Sequence, residues 1–313
     1  MFLTSVLFTT LTRLLISSIR ITMKQPRISI ITPSYNQAQF LERTLCSVLD
    51  QNYSNLEYFV IDGGSNDGSV QIIKRYEKHL AGWLSEKDNG QTDAINKGLA
   101  RCTGNIIAYI NSDDVYLPDT LNHVAQLMSG QNAANWVIGQ CRQIDEDDHD
   151  LGAFKHTLPT NFLSYISRES GLLPQPSSFW NAEFFNDYGH FALDLHYSFD
   201  YEFNCRLLSQ GQAPTLTDHP TAGFRMWDES KGGSQPIAFG LERIEVTRRY
   251  MHMLNLHDRI KLIRNMGYRQ RAYAIQQAQL KTGASLWSKI ITKPWWLASS
   301  DIRQALVHGQ EKQ

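Results

Sequence analysis

Apolar positions along the chain switch repeatedly between a two-residue and a helical spacing. Ile28-Ser29-Ile30-Ile31 is a short β-branched run ended by Pro33, the pattern of a buried strand. Between residues 38 and 49, Phe40, Leu41, Leu45, Val48 and Leu49 fall on one helical face. The alternation continues. Residues 56–61 (LEYFVI) predict a second strand, stopped by Asp62-Gly63-Gly64, and Asn66-Asp67-Gly68-Ser69 opens a helix carrying Val70, Ile72, Ile73 and Tyr76. A strand over 82–85, a helix over 92–100 and a strand over 105–110 follow, the last running into Asn111-Ser112-Asp113-Asp114. Pro118 fits the first turn of a helix bearing Leu121, Val124, Ala125 and Met128, and 136–139 is a further strand. This order predicts an α/β protein with a mostly parallel sheet sandwiched by helices. Beyond residue 145 the pattern loosens. The acidic run 145–150 (DEDDHD) reads as a solvated loop or hairpin, 199–208 as a helix, and 235–281 as long basic helices.

In an open parallel sheet, ligands bind beyond the carboxyl ends of the strands. Three predicted strands end there in polar clusters: Thr32-Pro33-Ser34-Tyr35-Asn36, Asp62-Gly63-Gly64-Ser65 and Asn111-Ser112-Asp113-Asp114. The first holds no GxGxxG, so hydride transfer from a dinucleotide is not expected, and the chain has no GxxxxGK[ST] phosphate loop. Adjacent carboxylates such as Asp113 and Asp114 stay ionised together only with a cation or several donors nearby. Mg²⁺ and Mn²⁺ are hard ions that take oxygen ligands and bridge to phosphates. By itself the pair also fits a helix-capping turn. Asp67 and Ser69 suit the N-cap of the following helix.

Taken together, TPSYNQAQFLERTLCSVLDQNYSNLEYFVIDGGSNDGS, SEKDNGQTDAINKGL and INSDDVYLPDTL resemble the glycosyltransferase family 2 pattern in order and spacing, over roughly residues 27–230. The resemblance implies the GT-A nucleotide-sugar fold. It implies that Pro33, Tyr35 and Asp62 contact the nucleoside, that Asn36 and Asp88 line the same pocket, and that Asp113 and Asp114 form the DXD-type pair. Of that pair, Asp113 would bind donor ribose and Asp114 the Mg²⁺ or Mn²⁺ on the diphosphate. Asn111 stands where many members have the first Asp. Phe199-Asp200-Tyr201-Glu202, followed by Arg206-Leu207, resembles the family's acidic motif, with Phe199 where Glu is usual and Asp200 at the general base. Pro174–Trp180 (PQPSSFW) matches an acceptor-side segment. In 223–231 (GFRMWDESK), Trp227 replaces a frequent His and cannot ligate a metal, while Arg225 and Lys231 are expected to clamp the diphosphate. The implied reaction is inverting transfer of a sugar from a nucleotide-sugar, UDP-linked by expectation, to a hydroxyl of a glycan or polyprenyl-linked acceptor in surface polysaccharide synthesis. The alternatives are a nucleotidyltransferase, or an inactive sugar-nucleotide binding module hinted at by Phe199 and Trp227.

Composition fits this picture and adds one complication. Of 313 residues, 42% are hydrophobic and 11% aromatic, enough to build a core, and no uncharged apolar stretch is long enough to span a bilayer. Four scattered cysteines without a CxxC pair exclude a disulfide framework or structural zinc site as the expected design. The net charge of −1 hides an asymmetry: residues 1–242 carry 17 Lys and Arg against 27 Asp and Glu (−10), and 243–313 carry 13 against 4 (+9). Three segments are expected: an apolar extension over 1–22, a catalytic domain over 23–235 (nucleotide half 27–145, acceptor half 146–235) and a basic helical region over 236–313. The extension either precedes a true start at Met23 or is an amphipathic surface helix. In the basic region, Trp287, Trp295 and Trp296 interleave with Lys281, Lys289 and Lys293. That mixture suits either a peripheral contact with the inner face of the plasma membrane or packing on the catalytic domain. A cytoplasmic protein without nucleic-acid partners is expected, since no recognition module accompanies the basic residues.

Overall fold

The computed structural model describes residues 25–154, 159, 161–167 and 173–282. Its architecture follows from the alternation of β1 (Ile28–Ser34), which is buried along its whole length. Ile28 and Ile30 enter one apolar cluster and Ile31 another, because successive strand side chains point to opposite faces. The next elements in chain order are α1 (Ala38–Leu49), β2 (Leu56–Asp62), α2 (Ser69–Tyr76), β3 (Gly82–Ser85), α3 (Gln91–Leu99) and β4 (Ile106–Tyr109). Strands β3-β2-β1-β4 pair in parallel in that order. β4 divides its residues as β1 does, with Ile106 and Ala108 in one cluster and Ile107 and Tyr109 in the other.

After β4 come β5 (Val115–Tyr116), α4 (Thr120–Leu127), β6 (Trp136–Ile144), β7 (Asp150–Ala153), α5 (Phe162–Ile166), β8 (Ser178–Asn181) and α6 (Glu183–Asp187). The chain continues with α7 (Phe199–Ser209), β9 (Thr215–Arg225), α8 (Lys231–Ser234), α9 (Pro236–Tyr250) and α10 (Leu256–Thr282). The sheet extends as β4-β8-β6-β9-β5, with β7 beside β6. β6 and β9 are parallel, while the short β8, β7 and β5 run antiparallel. One face is covered by α1, α2 and α4 through Leu41, Leu45, Ile72, Ile73, Leu121 and Val124. The other carries α3 and α7, and α9 and α10 add Val246 and Leu262 to that cluster.

Several boundaries match the spacing: α1, β3 and the start of α7 fall where expected. Pro118 does not. The helix begins at Thr120, after Asp119 in the left-handed region (φ 62°), because β5 pairs with β9 and the Leu117 amide still donates to the Thr221 carbonyl at 3.0 Å. The acidic run is the turn between β6 and β7, as a hairpin reading implies. Among the described residues no helix is long and apolar enough to cross a membrane. The 1–22 extension and the tail tryptophans lie outside the described residues.

Candidate active site

The carboxyl ends of the parallel strands share one edge because their register is common. Ser34 stands opposite Asp62, and Asp62 opposite Ser85. The Ile110 amide donates to the Ile31 carbonyl at 2.9 Å, so Asn111 and the aspartates after it emerge beside the β1 loop. Within that loop Pro33 is buried, Tyr35 is 61% exposed, and Asn36 adopts a positive φ of 50°. The Asn36 amide donates to the Ser65 hydroxyl and its side-chain oxygen accepts from the Asn66 amide, tying the first polar cluster to the second. Asp67 supports the same junction. Its carboxylate receives the Ser69 amide at the start of α2 and the Ala38 amide at the start of α1.

Asp62 also has a role within the fold. It is fully buried, and it accepts from the Gly64 and Ser65 amides and from the Ser65 and Ser85 hydroxyls. Oδ2 takes three of these bonds and Oδ1 one, so the carboxylate shapes the loop. Asp88 lies directly against this turn: a Cβ at Gly63 would sit 2.7 Å from its Oδ2 and push the Asp88 carboxylate aside. Its Oδ1 accepts the Gly90 amide just before α3.

The Asn111–Asp114 turn is anchored from α1, where the Thr44 hydroxyl lies 3.0 Å from the Ser112 carbonyl and 2.7 Å from that of Asp114. Asp114 is enclosed; Oδ1 accepts the Arg225 amide at 2.9 Å and Oδ2 the Asn111 side-chain amide at 3.2 Å. Burial, then the neighbouring Asp113, hold its carboxyl well above the usual range against these donors. Asp113 is pushed up by burial, opposed by the Trp227 hydrogen bond and by Arg225. The Trp227 indole N–H reaches Asp113 Oδ2 at 3.0 Å while its ring meets Phe40 edge-on at 5.0 Å. Trp227 therefore caps the pair as a hydrogen-bond donor.

Arg225 requires a correction. Its guanidinium is buried beneath the β6–β7 turn, where it donates to the carbonyls of Asp145 and Glu146, pairs with Asp148, and reaches the Asp113 carbonyl at 2.7 Å. It braces the aspartate pair from behind and is not directed at a diphosphate. The acidic run is thus partly structural, since Asp148 also meets Arg43 at 3.1 Å.

Asp200 lies in the first turn of α7. The carboxylate of Glu242 on α9 accepts the amides of His196, Tyr197 and Ser198 at 2.7–2.9 Å and fixes where that helix begins. Phe199, where Glu is usual, packs against Tyr109 and Phe191, so the aromatic core explains the departure. Burial raises the Asp200 carboxyl, opposed by Arg243, its backbone donors and Lys231. Lys231 Nζ bonds Gln91 Oε1 at 2.9 Å and the His196 carbonyl; Gln91 in turn reaches Asn111 at 2.6 Å. A continuous chain of polar contacts joins Asp114, Asn111, Gln91 and Lys231, which lies in the field of Asp200. Tyr109 lies in the field of both Asp114 and Asp200.

Asn111, Asp113 and Asp114 thus share one turn that is joined through Gln91 to Lys231, in whose field Asp200 lies, and Asp88 sits against the neighbouring Gly63 turn. Asp62 and Arg225 are enclosed by partners from the protein itself. Among the described residues no cluster of three His, Cys, Asp or Glu side chains forms a ready metal cage. Two crowded carboxylates with raised proton affinity still fit a hard cation whose other ligands are diphosphate oxygens and water. Buried Cys141 has its thiol pushed up to about 12, so thiolate chemistry has no support there. Thr44 and Gln91 lie within the quoted segments, but their contacts, like those of Glu242, show only in space.

Residues 29–229 match the family model described as Glycosyl transferase family 2. An uncharacterized glycosyltransferase of Mycobacterium tuberculosis, MT1564, is 30% identical over 185 residues, which is 58% of this chain and 68% of that protein. TuaG of Bacillus subtilis, named for teichuronic acid biosynthesis, is 35% identical over 137 residues, 42% of this chain and 53% of TuaG. In fold, residues 1–349 of S. aureus TarS in complex with UDP-GlcNAc superpose with a TM-score of 0.62 at 18% identity, covering 87% of this chain and 79% of that one. The mannosyltransferase PcManGT of Pyrobaculum calidifontis, in complex with GDP-Man and Mn²⁺, gives 0.58 at 18% identity over 90% and 83%. The sheet order, the structural likeness and a family match across most of the chain agree: the protein has the GT-A fold and belongs to glycosyltransferase family 2.

Proposed function

We propose that this glycosyltransferase moves a sugar from a nucleotide-sugar donor, UDP-linked, to a hydroxyl of a glycan or polyprenyl-linked acceptor, with inversion, in synthesis of a surface polysaccharide. The observation that carries this reading is the chain of polar contacts from Asp114 through Asn111 and Gln91 to Lys231, which lies in the field of Asp200. Relatives supply the chemical class: TarS is described with UDP-GlcNAc, PcManGT with GDP-Man and Mn²⁺.

Tyr35 and the loop braced by Asp62 and Asn36 hold the nucleoside, with Asp88 on the adjoining wall. Asp113 positions the donor ribose. Asp114 would hold Mg²⁺ or Mn²⁺, which would neutralise charge growing on the departing diphosphate. Lys231 adds positive charge between that side and Asp200. Asp200 accepts the proton of the attacking hydroxyl, a role worth about 10²–10⁴-fold for a positioned base. Its raised proton affinity suits the task, since a stronger base shares the proton earlier. Attack from the Asp200 side, opposite the diphosphate, inverts the anomeric centre. An inactive binding module has less support, because Phe199 is accounted for by core packing and leaves Asp200 in place.

Asp200→Asn tests the assignment. Transfer from a donor panel (UDP-GlcNAc, UDP-Glc, GDP-Man) with Mn²⁺ should fall by at least about 10²-fold while donor affinity changes little. Transfer near the wild-type rate in that variant would refute the base.

A further inference from the structure

Two adjacent residues of α9 face α7 in opposite conditions. Glu242 is saturated by the three amides of His196, Tyr197 and Ser198. The Arg243 guanidinium lies over the Tyr201 ring, its carbon 4.6 Å from the centroid, and makes no hydrogen bond or ion pair among the described residues, whereas the Arg243 carbonyl accepts the Thr247 hydroxyl. It is half-buried. The nearby carboxylates are already engaged or out of bonding reach. Glu202 holds Arg206 and the Tyr250 hydroxyl, and Asp200 lies in the field of Arg243 without a hydrogen bond between them. On the α5 side the facing groups are phenols: Tyr165 bonds Asn204, and Tyr201 donates to the Ile166 carbonyl.

A guanidinium offers five N–H donors in a planar fork that matches carboxylate and phosphate. Stacked on a tyrosine face and partly withdrawn from water, it binds an anion more strongly than an exposed lysine would. Lys231 is already tied through Gln91 to the Asn111 turn, which leaves Arg243 as a second cation in the field of Asp200. We propose that Arg243, stacked on Tyr201 beside Asp200, is an anion subsite that recognises a carboxylate or phosphate carried by the acceptor next to the hydroxyl that receives the sugar. The proposal rests on the glycosyltransferase reading above and names the acceptor class that the reading leaves open.

The test uses the full chain, as wild type, Arg243→Gln and Arg243→Lys, with circular dichroism to establish folding. Saturation-transfer NMR measures binding of D-glucuronate, glycerol phosphate and neutral D-glucose in the presence of UDP and Mn²⁺. Wild type should bind one or both anions at least about tenfold more tightly than glucose. Arg243→Gln should lose that preference, and Arg243→Lys, which keeps charge but not the fork, should retain part of it. Glucuronate alone would assign a uronate-bearing acceptor, and glycerol phosphate alone a phosphate-bearing one. Equal binding of all three ligands by wild type, or an undiminished preference in Arg243→Gln, would overturn the proposal. UDP titration of the same samples keeps the two levels apart. Loss of UDP binding by wild type contradicts the nucleotide-sugar reading, whereas intact UDP binding without anion preference contradicts only the Arg243 subsite.

Discussion

Two acidic regions of the same sheet edge are built on opposite principles. At Asp62 the protein supplies every partner, two amides and two hydroxyls, to a fully buried carboxylate. At Asp113, Asp114 and Asp200 it supplies fewer, and burial raises the proton affinity of all three. The first arrangement is complete without a ligand and fixes a loop. The second holds negative charge that needs a cation, a diphosphate or a transferred proton to balance it. Aspartates that look alike in sequence thus differ in how fully the protein itself satisfies them.

Replacing members of the two regions should break this contrast or sharpen it. The largest expected effect is the loss of transfer in Asp200→Asn described above. Asp62→Ala comes next. It leaves four part-buried donors without their acceptor and should lower stability in urea by about 1–3 kcal/mol. A cost below about 0.5 kcal/mol would show that the Asp62 loop is not self-supporting scaffold. Asp114→Asn should act in the opposite direction, raising the Tm of the ligand-free protein by about 2–4 °C while weakening donor binding. A fall in Tm would mean that the pair is already balanced.

The pH dependence has the same origin. A carboxyl whose proton affinity is higher folded than unfolded binds more protons in the native state, so its contribution to stability grows as pH falls through the folded pKa and is lost as pH rises. Thermal unfolding without metal should show Asp114→Asn flattening that part of the profile. For Asp200 the same shift places the acid limb of transfer activity above the ordinary carboxylate range. The smallest effect expected is a move of this limb to higher pH in Lys231→Met, since Lys231 favours the ionised form of Asp200.

The regular half of the chain was legible because each apolar face repeats with the period of its own element. Phe40, Leu41, Leu45 and Val48 are all buried on one side of α1, and Ile28, Ile30 and Ile31 divide as a two-residue period requires. Motif order also placed the Asn111–Asp114 cluster beside the β1 loop, where the Ile110–Ile31 hydrogen bond brings it. Roles were harder to read than positions. Whether an aspartate is satisfied from within depends on contacts distant in sequence, such as Ser85 to Asp62 and Asp148 to Arg225. Arg225 therefore read as a clamp although it is a buried brace. Glu242, 42 residues beyond Asp200, resembled any acidic residue on a basic helix, yet its three amide contacts fix the start of α7. The β5–β9 pairing that keeps Pro118 out of the helix likewise joins segments more than a hundred residues apart.

The central claim is that the Asp113–Asp114 turn is an unbalanced acidic site completed by a divalent cation and a nucleoside diphosphate. Calorimetric titration of UDP and GDP, with and without Mn²⁺, into wild type and Asp114→Asn tests it most directly. The account predicts that one nucleotide binds wild type only when Mn²⁺ is present, and at least about tenfold more weakly to the variant. Binding that is equal with and without Mn²⁺ and unchanged in Asp114→Asn, or no binding of either nucleotide, would contradict it.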